Sequence, residues 1–157
     1  TIACTRTLDG LSGTPRAQAE TLGALGIPLH TASEALPVAC DVVIDAIIGY
    51  SLSGAPEGDA ALLIEAGNAT NTPVVSLDVP SGLDSTSGDT SGVVIRAEST
   101  LTLAMPKLGL AAENAREYVG ELFVADIGVP PELYAAPSLG LKAQRMFSQS
   151  EILRVSA

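Results

Sequence analysis

The stretch Val42-Val43-Ile44-Asp45-Ala46-Ile47-Ile48 decides the fold: a continuous apolar run broken by a single carboxylate. A run without alternation suits a strand covered on both faces, as in a parallel sheet. Immediately downstream, Gly49 to Gly58 is rich in turn residues, and Asp59 to about Ala66 has the composition of a helix, with Asp59 as its cap and Gly67 as its stop. Val74-Val75-Ser76-Leu77 then reads as the next strand. It closes at Asp78-Val79-Pro80-Ser81-Gly82, because Pro80 cannot extend a central ladder.

Working outward, the same alternation continues. Thr14-Pro15 before Arg16 to Leu25 signals a helix, with Gly26 as a left-handed stop. Ile27 to Leu29 reads as a short strand, and Leu36 to Ala39 stays ambiguous. On the other side, Ala97 to Ala104 is a strand stopped by Met105-Pro106, Ala111 to Val119 a short helix and Glu121 to Ala125 a further strand. Pro130-Pro131 begins a last turn of helix, and the tail from Ser138 is weakly patterned. Alternating strands and helices with short connections predict a three-layer α/β/α fold, Rossmann-like, with a mainly parallel sheet.

Composition narrows the function. The 157 residues carry 18 Asp and Glu against eight Lys and Arg, a formal net charge of −10. That balance disfavours nucleic acid and anionic membranes, both of which demand cationic neutralisation. No run approaches the ~20 apolar residues of a spanning helix. Cys4 and Cys40 cannot build a disulfide framework or a four-thiolate zinc site, and both read as small core residues. With 3% aromatics and no Trp, stacking platforms for bases are nearly excluded.

Ligands of open α/β sheets bind outside the carboxyl ends of the strands. Asp45 and Asp78 sit at two such ends, each followed by a Gly-containing loop. If their strands are neighbours, both carboxylates face one crevice. Two carboxylates with a serine hydroxyl and loop carbonyls suit a hard cation. The Gly/Ser loop before a helix offers N–H groups to a phosphate, and a strand-end Asp serves equally to bind ribose or shuttle a proton. Against these stands the plain role of capping a turn. Gly49-Tyr50-Ser51-Leu52-Ser53 departs from a nucleophile elbow at its last position, and the only histidine, His30, precedes the serine; His30 itself reads as a surface or sheet-edge residue. Neither of the Gly-rich nucleotide-binding fingerprints, G-x-G-x-x-G or G-x-x-x-x-G-K-[ST], occurs. Lys107, at another strand end, reads as solvated rather than catalytic.

Several blocks together resemble one family. Asp41 to Gly49, Asp78-Val79-Pro80-Ser81-Gly82-Leu83-Asp84, Pro106-Lys107-Leu108-Gly109-Leu110 and Val119 to Pro130 occur in the order of the YjeF N-terminal domain family, and the D-[IV]-P-S-G-L-D block is quite specific. Its enzymatic members are NAD(P)H-hydrate epimerases, which interconvert the R and S forms of hydrated NADH and NADPH in cofactor repair. The resemblance implies that Asp45 and Ser81 help to hold a potassium ion. It implies that Gly49, Tyr50, Ser51, Leu52, Ser53, Gly54 and Ala55 contact the hydrated dinucleotide, and that Asp78 contacts the same ligand; because a carboxylate can move protons and stabilise positive charge, Asp78 is also the candidate catalytic group. The partners so implied are hydrated NADH or NADPH, a fused or separate dehydratase, and a second copy of the chain as a homodimer. Nucleic acid and membrane are not among them, and the expected location is the cytoplasm.

Two departures qualify the resemblance. The loop reads Gly49-Tyr50-Ser51 where many members carry Gly-Thr-Gly, and the family's G-N-N-G-G-D-G phosphate loop, with the Asn that completes the potassium site, is missing. Residues 1–137 are therefore expected to be a copy of the domain lacking roughly its first third, with little activity as a fragment, and 138–157 a C-terminal tail or the start of a linker. The alternative is a non-catalytic ligand- or protein-binding module on the same fold, since relatives occur among mRNA-decapping enhancers and apolipoprotein-binding proteins.

Overall fold

The computed structural model describes residues 1–34, 39–135 and 146–155. Ile2–Cys4 forms β1, Gly13–Ala24 forms α1 and Leu29–Thr31 forms β2; the two strands pair in parallel with Ile2 opposite Leu29. Gly26 ends α1 as expected. Its N–H donates to the Gly23 carbonyl and the Ile27 N–H to the Leu22 carbonyl, the double bond of a helix stop built on a left-handed residue. The helix starts earlier than Thr14, from an N-cap at Ser12.

The main sheet comprises β3 (Val43–Asp45), β4 (Val74–Leu77), β5 (Ser99–Leu103), β6 (Glu121–Ala125) and β7 (Ile152–Arg154), in that order. Its first four strands are parallel, and β7 runs antiparallel along β6. The mainly parallel α/β reading therefore holds, with β3 and β4 neighbours and Asp45 opposite Ser76.

Between β3 and β4 runs α2 (Gly58–Asn68), whose Ile64 packs with Val74, Ile95 and Ala97, flanked by Val43 and Ile47. After β5 the chain takes two short 3-10 turns, Leu108–Ala111 and Glu113–Ala115, then α3 (Arg116–Val119). These place Leu110, Ala115 and Val119 against Val79, Leu83 and Val94. A last helical turn, α4, spans Pro131–Tyr134. No helix among the described residues is long and apolar enough to cross a membrane.

Several expectations are corrected. The Val42–Ile48 run gives a strand of only three residues, because the next backbone donors turn to side chains: Ile47 N–H to Asp45 Oδ1 and Ile48 N–H to Ser81 Oγ. Nor is β3 buried on both faces, since Asp45 is 2% exposed while Ile44, on the opposite face, is 59% exposed. Asp59 sits in the first turn of α2 rather than at its N-cap, which is Glu57. Gly67 does not stop that helix but lies within it, where a Cβ would stand 3.1 Å from Ile95 Cδ1. Cys40 is exposed and Cys4 half-buried, so neither is a core residue.

The short strand expected at Ile27 to Leu29 lies two residues later, and its His30 is half-buried opposite Ala3. The segment expected to be a tail or linker, 138–157, contributes the edge strand β7, whose Leu153 pairs with Val124. Leu36 to Val38 and residues 138–145 lie outside the described residues.

Candidate functional site

The site builds from the carboxyl ends of β3, β4 and β5. Asp45 closes β3 facing the core, and its four acceptor positions are all taken. Oδ2 accepts the Ser76 hydroxyl at 2.8 Å and the Ser81 N–H at 2.9 Å; Oδ1 accepts the Ser81 hydroxyl at 2.5 Å and the Ile47 N–H at 3.3 Å. Ser81 Oγ in turn accepts the Ile48 N–H at 2.8 Å and lies 3.2 Å from the Ile48 carbonyl. A carboxylate can be buried this deeply only because each lone pair meets a donor.

Asp78 takes a different path. It follows β4 with φ +73, a left-handed conformation that costs a non-glycine residue about 1–2 kcal/mol, although Asp tolerates it better than most. That turn swings its carboxylate toward β5. Oδ1 lies 3.3 Å from the Leu103 N–H and 3.5 Å from Thr102 Oγ1, and it pairs with Lys107 Nζ. Oδ2 faces the start of the 49–55 loop, 3.5 Å from where a Cβ at Gly49 would stand. No donor among the described residues reaches Oδ2. Beside the pair opens a cavity of about 470 Å³, lined by Tyr50, Asp78, Leu103, Ala104, Met105, Pro106, Lys107 and Ile127.

The expected site residues thus fall into two groups. Asp45 and Ser81 are bonded to each other and buried; Asp78, Gly49 and Tyr50 meet at the mouth of the cavity. Within the rest of the loop, Ser51, Ser53, Gly54 and Ala55 are exposed and Leu52 half-buried, with Gly54 at φ +77. The Ser85 hydroxyl donates to the Tyr50 carbonyl at 3.3 Å, tying the loop to the segment after β4. The two carboxylates do not share a ligand set, since Asp45 turns inward and Asp78 turns to the opening.

Lys107, read from sequence as solvated, is instead the ionic partner of Asp78 with a side chain only 22% exposed. Ser76 and Thr102 also belong to the site, and the sequence signal for them is a hydroxyl inside an apolar strand, whose hydrogen must find an acceptor when buried. Beyond the opening, the N–H groups of Ser87 and Thr86 hold the Asp84 carboxylate below its ordinary range. A second concavity of about 340 Å³ lies at the amino ends of the strands, lined by residues such as Asn68, Thr72 and Arg96. None of the paired strand-end groups reaches it.

A family model described as YjeF-related protein N-terminus matches residues 1–109. The chain belongs to the YjeF N-terminal domain family. Among its relatives, the NAD(P)H-hydrate epimerase of Dehalogenimonas lykanthroporepellens is 50% identical over 99 residues, which are 63% of this chain and 39% of that protein. The NAD(P)H-hydrate epimerase of Rhodopirellula baltica is 35% identical over 127 residues, 78% of this chain and 52% of that one. The bifunctional NAD(P)H-hydrate repair enzyme Nnr of Hyperthermus butylicus is 38% identical over 129 residues, 78% of this chain and 24% of that protein.

The fold is shared with the crystal structure of yeast ynu0, with a TM-score of 0.64 at 22% identity, over 89% of this chain and 59% of the yeast chain. The chain thus spans about half, or less, of the curated relatives it matches.

Proposed function

We propose that the natural protein carrying this chain is an NAD(P)H-hydrate epimerase. One observation carries the reading: Asp78 presents one fixed carboxylate oxygen and one open oxygen at the mouth of a largely apolar cavity, at the carboxyl ends of a parallel sheet. Epimerisation at C6 of the hydrated nicotinamide requires the hydroxyl to depart and water to return from either face. Departure leaves a planar cation, which the Asp78 carboxylate stabilises electrostatically. When water adds back, Asp78 Oδ2 takes its proton and returns it to the departing hydroxyl in the next cycle, so no net proton is consumed. Met105, Ile127 and the ring of Tyr50 form apolar walls for the ring, and the exposed loop that begins beside Asp78 Oδ2 is assigned to the rest of the dinucleotide.

Potassium belongs to the same proposal. The donor set matches a hard monovalent cation in kind, since Asp45 Oδ1, the Ser81 hydroxyl and the Ile48 carbonyl are all oxygens with Ser81 Oγ within 3.2 Å of the other two; a cation there would displace the Ser81 hydrogen from Asp45 Oδ1 and would need further oxygens beyond these three. Held there, the ion would supply positive charge for an anionic dinucleotide on a chain whose own net charge is −10. A dehydratase, fused or separate, would consume the S form, and the bifunctional relatives favour such a coupling.

The test incubates the R hydrate of NADH with the natural protein and its Asp78→Asn variant, separating the epimers by chromatography. Acceleration by the wild type and a loss of ~10²–10⁴-fold in the variant are expected for a group that moves the proton. Equal rates would remove Asp78 from the chemistry. A wild type that binds the hydrate without converting it would favour the binding-module reading.

A further inference from the structure

An ammonium group has three hydrogens to donate. Those of Lys107 meet three acceptors within the fold: Asp78 Oδ1, Thr102 Oγ1 at 3.0 Å and the Leu103 carbonyl at 2.9 Å. No hydrogen is left for a ligand.

The backbone is bent to make this arrangement. Among the described residues, two non-glycine positions have positive φ, Asp78 at +73 and Ala104 at +64, and they open the turns that carry the two partners. Ala104 follows β5; the Met105 N–H then donates back to the Leu103 carbonyl at 2.7 Å, and Pro106 delivers Lys107 over the strand end it has just left. An Ala in this region costs about 1–2 kcal/mol with no side-chain compensation. Strain at both ends of one ion pair is the pattern of a functional constraint rather than of a solvated surface pair.

From this geometry we infer that Lys107 is a positioning residue: it fixes Asp78 Oδ1, leaves Oδ2 as the one oxygen presented to the substrate, and does not itself touch the substrate. The inference rests on the epimerase reading and assigns a division of labour within that site. Oδ1, engaged by Lys107 and the Leu103 N–H, cannot rotate into the cavity without breaking both bonds. The reacting atom therefore meets a single, oriented oxygen. Orientation of this kind matters for catalysis because a small misplacement of a proton-transfer group is costly in rate.

The experiment compares the natural protein with Lys107→Met, Lys107→Arg, Asp78→Asn and the double variant Asp78→Asn/Lys107→Met, using R-hydrate conversion. Lys107→Met should lower kcat by ~10–100-fold, the range for partners that orient a reacting ligand, with KM unchanged within about twofold. Lys107→Arg should recover part of the loss, and the double variant should be no slower than Asp78→Asn alone. A raised KM with unchanged kcat, or additive losses in the double variant, would overturn the inference.

A second readout is independent of turnover. The Lys107 ammonium should give a slowly exchanging ¹⁵N–¹H signal that disappears in Asp78→Asn; absence of that signal in the wild type overturns the pair. Should the wild type fail to convert the hydrate, the epimerase reading falls, and the ammonium signal still decides whether Lys107 orients Asp78.

Discussion

Ser81 reaches Asp45 twice, through its backbone N–H and through its hydroxyl, across 36 positions of chain. The consequence is structural as well as chemical. The loop after β4 is pinned to the end of β3 at the point where the parallel strands open, and Ser76 adds a third donor from β4 itself. The buried carboxylate of Asp45 is thus the bolt that fixes the loop carrying Ser81.

Asp45→Asn should destabilise the protein despite its near-identical shape. Each carboxylate oxygen accepts a backbone N–H, Oδ1 from Ile47 and Oδ2 from Ser81. Whichever way the amide is turned, its NH2 confronts a backbone donor, and that buried donor loses its acceptor. The expected cost is about 1–3 kcal/mol, read as a lowered urea midpoint with unchanged slope. Ser76→Ala, which removes one hydroxyl and leaves both backbone donors satisfied, should cost less than Asp45→Asn in the same titration.

The sheet was legible because strand content follows from apolar runs: Val74–Leu77 and Glu121–Ala125 form at the bounds expected. Local punctuation was legible at Gly26 for the same reason, since a left-handed helix stop is a one-residue event. β7 was not, because Ile152–Arg154 carries little pattern and is held as an antiparallel edge by β6, a tertiary effect. Asp45 and Asp78 were visible as strand-end carboxylates with Gly-containing loops. Their separation into an inward bolt and an outward carboxylate was not, since it depends on the left-handed turn at Asp78. Nor was the partnership of Lys107, which depends on a second such turn at Ala104.

Asp78 variants should separate backbone strain from the ion pair. Asn accepts the left-handed conformation nearly as well as Asp, whereas Ala does not. Both remove the negative charge from beside Lys107, whose side chain is 22% exposed and so recovers part of its hydration. Asp78→Ala should therefore be less stable than Asp78→Asn by about 1 kcal/mol. Equal melting midpoints would show that the turn relaxes without cost.

Gly82→Ala tests how tightly the Ser81 loop is fitted. Gly82 has φ +100, and an ideal Cβ there runs into the Val93 carbonyl oxygen and stands 3.0 Å from Val94 Cα. The neighbour is backbone held in place by the Ile95 N–H bond to the Ser81 carbonyl at 3.0 Å, so it cannot swing aside as a side chain would. Overpacking of this kind costs about 1–3 kcal/mol, with left-handed strain added. The variant should melt well below wild type, and amide shifts of Ser81 and Val94 should move most.

Asp84 provides a pH signature. Its Oδ1 accepts the Ser87 and Thr86 N–H groups, both at 2.8 Å, and these bonds hold its native pKa below the unfolded value. In the window between the two, the unfolded chain binds more protons than the native one, so stability falls as pH falls. The contribution is fully present above the ordinary carboxylate pKa and is lost as pH drops through the lowered native value. Asp84→Asn keeps both bonds but makes them neutral and does not titrate. Denaturation midpoints taken from neutral pH to about pH 3 should show wild type above the variant at neutral pH and the gap closing toward the acid end. Glu34, also held low by Thr31 N–H and hydroxyl bonds, titrates in both proteins and cancels in the difference. A gap that stays constant with pH would mean that Asp84 acts through shape alone.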